Sequence, residues 1–136
     1  MAKRVEWNSS YELGFPEIDM QHKKLIAIAN ELYDVATRGG DNLKSNMEKV
    51  LKKLTDYTVY HFSSEEDFQE KYDYKGLSMH RLAHNQFVAE VQHQISKLNS
   101  ESQDDALRFY DYIANWVLTH IAKADRIWAD FVKSQQ

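Results

Sequence analysis

The sequence LRFYDYIANWVLTHIAKADRIW, residues 107–128, shows the clearest structural signal in this chain of 136 residues. Its apolar residues recur at intervals of three and four, which is the repeat of an α-helix that buries one face. These residues are Leu107, Tyr110, Ile113, Ala114, Val117, Ile121 and Trp128. His120, three residues after Val117, continues the stripe. The segment therefore predicts an amphipathic helix with a polar side chain on its buried face.

Three other segments show the same repeat. Gly39-Gly40, Gly76 and the polar run 99–102 separate the segments. Suitable N-caps are Asp19, Asp41, Ser78 and Ser102. The pattern predicts an all-α chain with helices over about residues 19–37, 41–69, 78–98 and 103–132, after an N-terminal arm over 1–18. Because the connections are short, we expect one domain over 1–136, an up-down-up-down antiparallel four-helix bundle.

Composition disfavours several classes of protein. The chain has 17 basic and 21 acidic side chains and shows no basic groove, so nucleic acid is a poor candidate partner. No stretch is apolar enough to span a bilayer, and the N-terminus MAKRVEW lacks the apolar core of a secretory signal. The absence of cysteine excludes disulfides, thiolate metal sites and thiol catalysis. Together these features favour a cytoplasmic protein.

Five of the six histidines and two acidic residues fall at one level of such a bundle. Helix direction brings the starts of the first and third helices beside the ends of the second and fourth. The residues at that end are His22, His61, Glu65, His80, His84, His120 and Asp125. Glu65 lies four residues after His61 and shares its face, unlike Glu66. Asp125 is five residues after His120, about 140° round an ideal helix, so spacing alone does not pair them. A bridging carboxylate or a local distortion of the helix would absorb this angle.

The alternative is that these histidines are hydrogen-bonded core residues, which is the commoner role for a single His on an apolar face. Seven such groups buried together would each cost several kcal/mol unless paired. No Arg or Lys continues the same stripes, so we expect a metal site. His93 lies nine positions after His84, about 180° round the helix. We therefore expect His93 to face solvent and assign it no function.

The number of ligands indicates two metal ions. Five nitrogens and two carboxylates are too many for one tetrahedral zinc, and they suit two octahedral iron or manganese ions that share both carboxylates. If three histidines bind one ion and two bind the other, with a bridging oxygen, the second ion keeps an open position. A vacancy on a redox metal in an apolar pocket is suited to a small ligand such as dioxygen.

The sequence resembles the hemerythrin family, specifically its single-domain bacterial members. The resemblance covers essentially the whole chain. Its motifs are Trp7, the segment GFPEIDMQH over 14–22, HFSSEE over 61–66, HRLAH over 80–84 and WVLTHIAKAD over 116–125. It implies two iron ions bridged by Glu65, Asp125 and an oxo or hydroxo group. It also implies that His80, His84 and His120 bind one iron and that His22 and His61 bind the other.

The resemblance further implies reversible dioxygen binding, without enzymatic activity and without a side chain acting as general acid. Val117 occupies a place where hemerythrins often have a larger aliphatic residue, so we expect a slightly roomier or wetter oxygen pocket and faster autoxidation. Phe62, Trp116 and Ile121 are candidates to line the pocket, although plain core packing is the alternative for each.

Other functions of a four-helix bundle remain open. Ferritins and carboxylate-bridged oxygenases use Glu-x-x-His twice, whereas Glu90-Val-Gln-His93 is the one match in this chain and we expect it to point away from the cluster. A sensor of dioxygen or redox state acting through a protein partner is an alternative, as is peroxide or nitric oxide handling at the same di-iron site. The sequence does not identify a physiological recipient of dioxygen.

Overall fold

Four antiparallel helical rods make up the fold. The computed structural model describes residues 3–97 and 102–136, which contain no strand. After a short 3-10 turn at Ser9–Tyr11, the helices are α1 (Pro16–Arg38), α2 (Leu43–Lys71), α3 (Leu77–Lys97), α4 (Gln103–Thr119), a π-helical segment (His120–Asp125) and α5 (Arg126–Gln135). The last three follow one another without a break and form the fourth rod. The all-α bundle predicted from the apolar repeat is therefore confirmed. Among the helices of the described residues, none has the length and hydropathy that a membrane span requires.

The larger hydrophobic core fills the part of the bundle towards the α1–α2 turn. Its side chains come from α1, α2, α3 and α4, and Leu32, Met47, Leu51 and Ile113 are completely buried. Burying one side chain of this size contributes about 1.5–3 kcal/mol. This core holds the rods in register over most of their length.

A second, smaller core lies at the other end of the bundle. It consists of Leu13, Phe15, Ile18, Trp128, Ala129 and Val132. The N-terminal arm supplies the first two, so the arm is part of the packed structure. Ile18 precedes His22 by one turn, and Trp128 follows Asp125. The seven residues that the sequence places at one level of the bundle are therefore enclosed between two cores.

The first helix starts earlier than predicted. It begins at Pro16, which is favoured in a first turn because it has no N–H to satisfy. The predicted N-cap, Asp19, lies inside the helix, and its carboxylate instead accepts hydrogen bonds from the backbone N–H groups of Leu13 (2.8 Å) and Gly14 (3.2 Å). Gly14 has φ of 93°, a conformation that favours glycine. Asp19 thus fastens the arm against the start of α1, and residues 16–18 belong to the helix.

The other helix boundaries differ from the predictions by a few residues. The N-cap of α2 is Asn42 and not Asp41, and Ser78 lies inside α3. Ser102 was correctly predicted, because its side chain accepts from the N–H of Asp105 at 3.1 Å. The predicted end of the third helix at residue 98 lies outside the described residues. The fourth predicted helix is interrupted by the π-helical segment and continues to Gln135.

Candidate metal centre

Seven polar side chains form one layer between the two cores, and we call this set the polar layer. Each is at most 7% exposed, and Glu65, His22 and Asp125 are completely buried. The layer consists of His22 from α1, His61 and Glu65 from α2, His80 and His84 from α3, and His120 and Asp125 from the π-helical segment. These are the seven residues that the sequence analysis selected, and the fold brings all of them together.

The ligand-type atoms of the polar layer fall into two groups, in each of which all atoms lie within 4.8 Å of one another. One group contains His80, His84 and His120. The other contains His22 and His61. Glu65 and Asp125 belong to both groups. The layer therefore offers two adjacent positions, one with three imidazoles and one with two.

Each shared carboxylate directs one oxygen towards each group. Glu65 Oε1 lies 3.2 Å from His84 Nε2, and Glu65 Oε2 lies 3.1 Å from His22 Nε2. Asp125 Oδ1 lies 3.0 Å from Nε2 of both His80 and His120, whereas Asp125 Oδ2 lies 3.0 Å from His22 Nε2. Both carboxylates thus stand between the two positions with their oxygens divided.

The π-helical segment brings Asp125 to the polar layer. In an α-helix, residues five apart are about 140° apart, whereas a π-helix bonds i to i+5 and so returns residue i+5 to nearly the same face. The segment spans only His120–Asp125, and the chain is α-helical on both sides. This local distortion accounts for the angle that sequence spacing left unexplained.

Several atoms of the layer converge without satisfying one another. Glu65 Oε1, His80 Nε2 and Asp125 Oδ2 are buried and lie 3.0–3.2 Å from a neighbouring ligand-type atom, but none of them makes a contact with the geometry of a hydrogen bond. His84 Nε2 and His120 Nε2 face each other at 2.9 Å. Lone pairs aimed at a common point suit a cation, and buried polar groups without partners are otherwise costly. Imidazole and carboxylate donors without thiolate fit a transition-metal centre.

Electrostatics in the layer favour charged groups when no cation is bound. Burial lowers the pKa of His22, but the adjacent carboxylates of Asp125 and Glu65 outweigh burial and raise the pKa to about 9. Burial likewise lowers the pKa of His120, and the charge of Asp125 outweighs it and raises the pKa to about 10. Burial raises the pKa of Glu65, yet the charge of His61 and hydrogen bonds from neighbouring imidazoles hold that pKa well below its usual range. Protons therefore compete with a metal for these nitrogens.

Two ligand-type histidines have an outer hydrogen-bond partner that the sequence analysis missed. Gln21 Oε1 lies 2.6 Å from His61 Nδ1, and Glu66 Oε2 lies 2.9 Å from His84 Nδ1. A group that accepts from Nδ1–H leaves the Nε2 lone pair free for a metal. Both residues directly adjoin a predicted ligand in the sequence. That adjacency was a usable signal, but nothing in the spacing indicated their orientation.

Trp128 supplies a further contact that was missed. Its indole N–H donates to Asp125 Oδ1 at 3.1 Å, and the ring is completely buried in the smaller core. The spacing of Trp128 predicts a place on the apolar stripe, and its burial in the smaller core confirms this packing role. Its position three residues after Asp125, on the same helix face, could have indicated the hydrogen bond.

A small cavity adjoins the polar layer on the side of the larger core. The volume in which the centre of a water-sized molecule fits is about 10 Å³. The predicted pocket residues Phe62, Trp116, Val117 and Ile121 all line it, together with Leu25, Thr58, Phe87 and the edges of His61, His120 and Asp125. Phe62 stacks on His84 with ring centroids 3.6 Å apart. The cavity is thus apolar on most sides and borders the polar layer. His93 is exposed, as predicted.

Comparison with known proteins agrees with this geometry. The sequence model of the Hemerythrin HHE cation binding domain matches residues 13–132. The bacteriohemerythrin of Clostridium acetobutylicum is 31% identical over 127 residues, which cover 91% of this chain and 98% of that relative. The bacteriohemerythrin of Methylococcus capsulatus is 33% identical over 113 residues, which cover 81% and 82%. A crystal structure of a hemerythrin mutant superposes with a TM-score of 0.79 at 25% identity, over 94% of this chain and 96% of that one. The family match includes all seven residues of the polar layer, and the chain belongs to the hemerythrin family.

Proposed function

We propose that this protein binds dioxygen reversibly at a centre of two iron ions. In this proposal His80, His84 and His120 hold one iron, His22 and His61 hold the other, and Glu65 and Asp125 bridge them together with an oxo or hydroxo group. The divided oxygens of the two carboxylates are the observation that supports a pair of ions over a single one. When bound, the di-iron group supplies two electrons and one open coordination position.

The unequal numbers of histidines support the place of dioxygen binding. The position with two imidazoles has one protein ligand fewer, so a small molecule can occupy the remaining site there. The apolar cavity borders this position through His61 and the other position through His120, so it gives a small molecule room beside both. The cavity walls exclude bulk water from the neighbourhood of the metals, and exclusion of water protects a reduced centre from side reactions.

The residues around the cavity favour binding over chemistry. Apart from residues of the polar layer, Thr58 is the one side chain with an O–H or a charge among those that line it. Its hydroxyl already donates to the carbonyl of Leu54 at 2.6 Å. No free proton donor among these described residues can therefore promote cleavage of a reduced oxygen ligand. We propose a carrier or storage protein, and not an enzyme.

Optical spectra of the iron-loaded protein test this function. The protein is reduced without air, exposed to dioxygen, and then purged with inert gas, with a spectrum recorded at each stage. We expect purging to restore the spectrum of the reduced protein. A spectrum that stays oxidised after purging, or peroxide released in proportion to the iron, would reject reversible binding. Binding of a single zinc with no affinity for iron would reject the di-iron centre as well.

A further inference from the structure

The outer hydrogen-bond partners of His84 and His61 differ in charge. His84, in the group of three histidines, faces the carboxylate of Glu66 at 2.9 Å. His61, in the group of two, faces the amide of Gln21 at 2.6 Å. Both contacts involve Nδ1, and both histidine rings are at most 1% exposed. The two metal-binding positions therefore receive outer partners of the same geometry but of different charge.

Arg81 holds the carboxylate of Glu66 in place. The Arg81 Nε–H donates to Glu66 Oε1 at 2.9 Å, while Oε2 faces His84. The Glu66 side chain is only 17% exposed, and Arg81 is on the solvent side with 47% of its side chain exposed. Each carboxylate oxygen thus has a separate partner. An ionised carboxylate oxygen is a stronger acceptor for an imidazole N–H than a neutral carbonyl oxygen.

The orientation of Gln21 follows from its neighbour Ser64. The hydroxyl of Ser64 donates to the carbonyl of Tyr60 at 3.2 Å, so its oxygen is free to accept from Gln21 Nε2 at 3.3 Å. With the nitrogen directed to Ser64, the amide oxygen faces His61 Nδ1. Gln21 therefore orients the imidazole as Glu66 does, but without contributing a negative charge.

The charge of the outer partner changes how strongly the imidazole donates electron density to the metal. A carboxylate that accepts from Nδ1–H increases the basicity of Nε2 and its donation to the metal, whereas an amide mainly fixes ring orientation. Stronger donation stabilises the higher oxidation state. The group that already has one more imidazole also has the anionic partner, so both features act in the same direction.

We infer that Glu66 and Gln21 are positioning residues that make the two metal ions electronically unequal, so that the three-histidine ion is oxidised first and reduced last. This inference deepens the proposed function and rests on its di-iron centre. It assigns to Glu66, held by Arg81, the control of one oxidation step. The amide of Gln21 leaves the two-histidine ion in the reduced state longer, which is the state that a dioxygen-binding position requires.

A stepwise redox titration of the iron-loaded protein tests this inference. Glu66→Gln keeps an acceptor oxygen but removes the charge, and we expect the ratio of ferric to ferrous ion in the first oxidation step to fall about tenfold at a fixed potential. For a one-electron step this corresponds to a rise of about 59 mV. Gln21→Glu should instead lower the potential of the second step, so the two steps move closer together. Mössbauer spectra of the half-oxidised protein should change in the ferric component for Glu66→Gln.

Further variants distinguish the effect of the negative charge of Glu66 from the effect of its hydrogen bond to His84. If Glu66 only holds the ring of His84, Glu66→Gln should behave as the wild type while Glu66→Ala does not. If its charge is what matters, both variants should raise the first potential. Arg81→Gln keeps an N–H donor for Glu66 but removes the exposed countercharge, and it is the variant to use should Glu66 variants fail to fold. We expect it to lower the first potential, and an unchanged or raised potential would contradict the inference.

Cobalt(II) titration gives a readout that does not depend on dioxygen. Glu66→Gln should weaken one of two cobalt sites by roughly 10- to 100-fold and leave the other unchanged. Unchanged potentials together with unchanged cobalt affinities would overturn the inference even if dioxygen binds reversibly. Conversely, shifted potentials in a protein that does not release dioxygen would reject the carrier and retain the inference.

Discussion

His120 and Asp125 are five residues apart in the sequence, yet His120 Nε2 lies 3.0 Å from Asp125 Oδ1. An α-helix would direct these side chains about 140° apart. The chain resolves this by forming a π-helix over only six residues, His120–Asp125. Segments of π-helix are rare, and they frequently occur at functional sites.

The π-helical segment makes position 125, and not position 124, the correct place for a carboxylate. We expect the double variant Ala124→Asp/Asp125→Ala to lose bound iron, although it restores the four-residue spacing of an α-helix. The measurement is iron per chain after reconstitution. Ala124→Asp alone is the control and should retain its iron. Two irons in the double variant would show that an α-helical register is accessible.

His120 and His93 form a matched pair of histidines. His120→Ala removes a buried nitrogen of the three-histidine group and should reduce iron content. His93→Ala changes an exposed side chain and should keep the iron content and stability of the wild type, within about 0.5 kcal/mol. Iron analysis and urea unfolding measure both effects. Equal iron loss in the two variants would contradict the assignment of the centre.

The stability of the metal-free protein should depend on pH through the polar layer. The pKa of His22 rises from 6.5 to about 9 on folding, and that of His120 rises to about 10. A raised pKa stabilises the fold fully below pH 6.5, and this contribution is lost as pH increases through the folded values. We therefore expect the free energy of unfolding, measured in urea, to fall between about pH 6 and about pH 10. His22→Gln should flatten the slope, and an equally steep slope in that variant would contradict the assignment.

The carboxylates of the layer act in the opposite pH range. The pKa values of Glu65 and Asp125 are lowered on folding, so their contribution is present above the unfolded values and is lost as the solution becomes acidic. The protons that His22 and His120 bind compete with a metal ion for the same nitrogens. Apparent metal affinity should accordingly increase with pH over the range in which metal-free stability decreases.

Trp128 should stabilise the metal centre through its hydrogen bond to Asp125. Trp128→Phe keeps an aromatic ring but leaves Asp125 Oδ1 without its indole donor. Loss of such an outer partner lowers metal affinity by roughly 10- to 100-fold. Metal titration measures this change. Trp7→Phe makes the same substitution at a partly buried site against the larger core, and it should leave the affinity unchanged. Equal effects in both variants would indicate a general loss of packing.

Val117 should control the space beside the metals. Val117→Leu adds one methylene to the wall of a cavity that holds about one water-sized molecule. We expect slower autoxidation of the oxygenated protein, with unchanged iron content and a stability cost of about 1–3 kcal/mol from tighter packing. Val35→Leu makes the same change in the larger core away from the layer and should leave the autoxidation rate as it is. If both variants autoxidise at the wild-type rate, Val117 has no part in the pocket.

Much of the fold was accessible from sequence, because apolar residues at intervals of three and four require a buried helix face. The all-α bundle and the hemerythrin resemblance are both confirmed. Helix starts were less predictable: Asp19 has the chemistry of an N-cap, yet it binds the arm from inside the helix. Local propensity cannot distinguish these roles, since the deciding partner is the backbone of residues 13 and 14. The ligand roles of the seven polar residues, and the division between two irons, remain predictions.

By itself, the sequence determined the types and order of the chemical groups: histidines and acids on apolar stripes, in helices whose directions bring them to one level. Tertiary structure alone decided their surroundings. The second core, built from the arm and α5, encloses the polar layer on its far side. The π-helical segment turns Asp125 inward, and the outer contacts from Gln21 and Glu66 differ in charge. Periodicity specifies which face of a helix is buried, whereas the identity and distance of a neighbour depend on how the helices pack against one another.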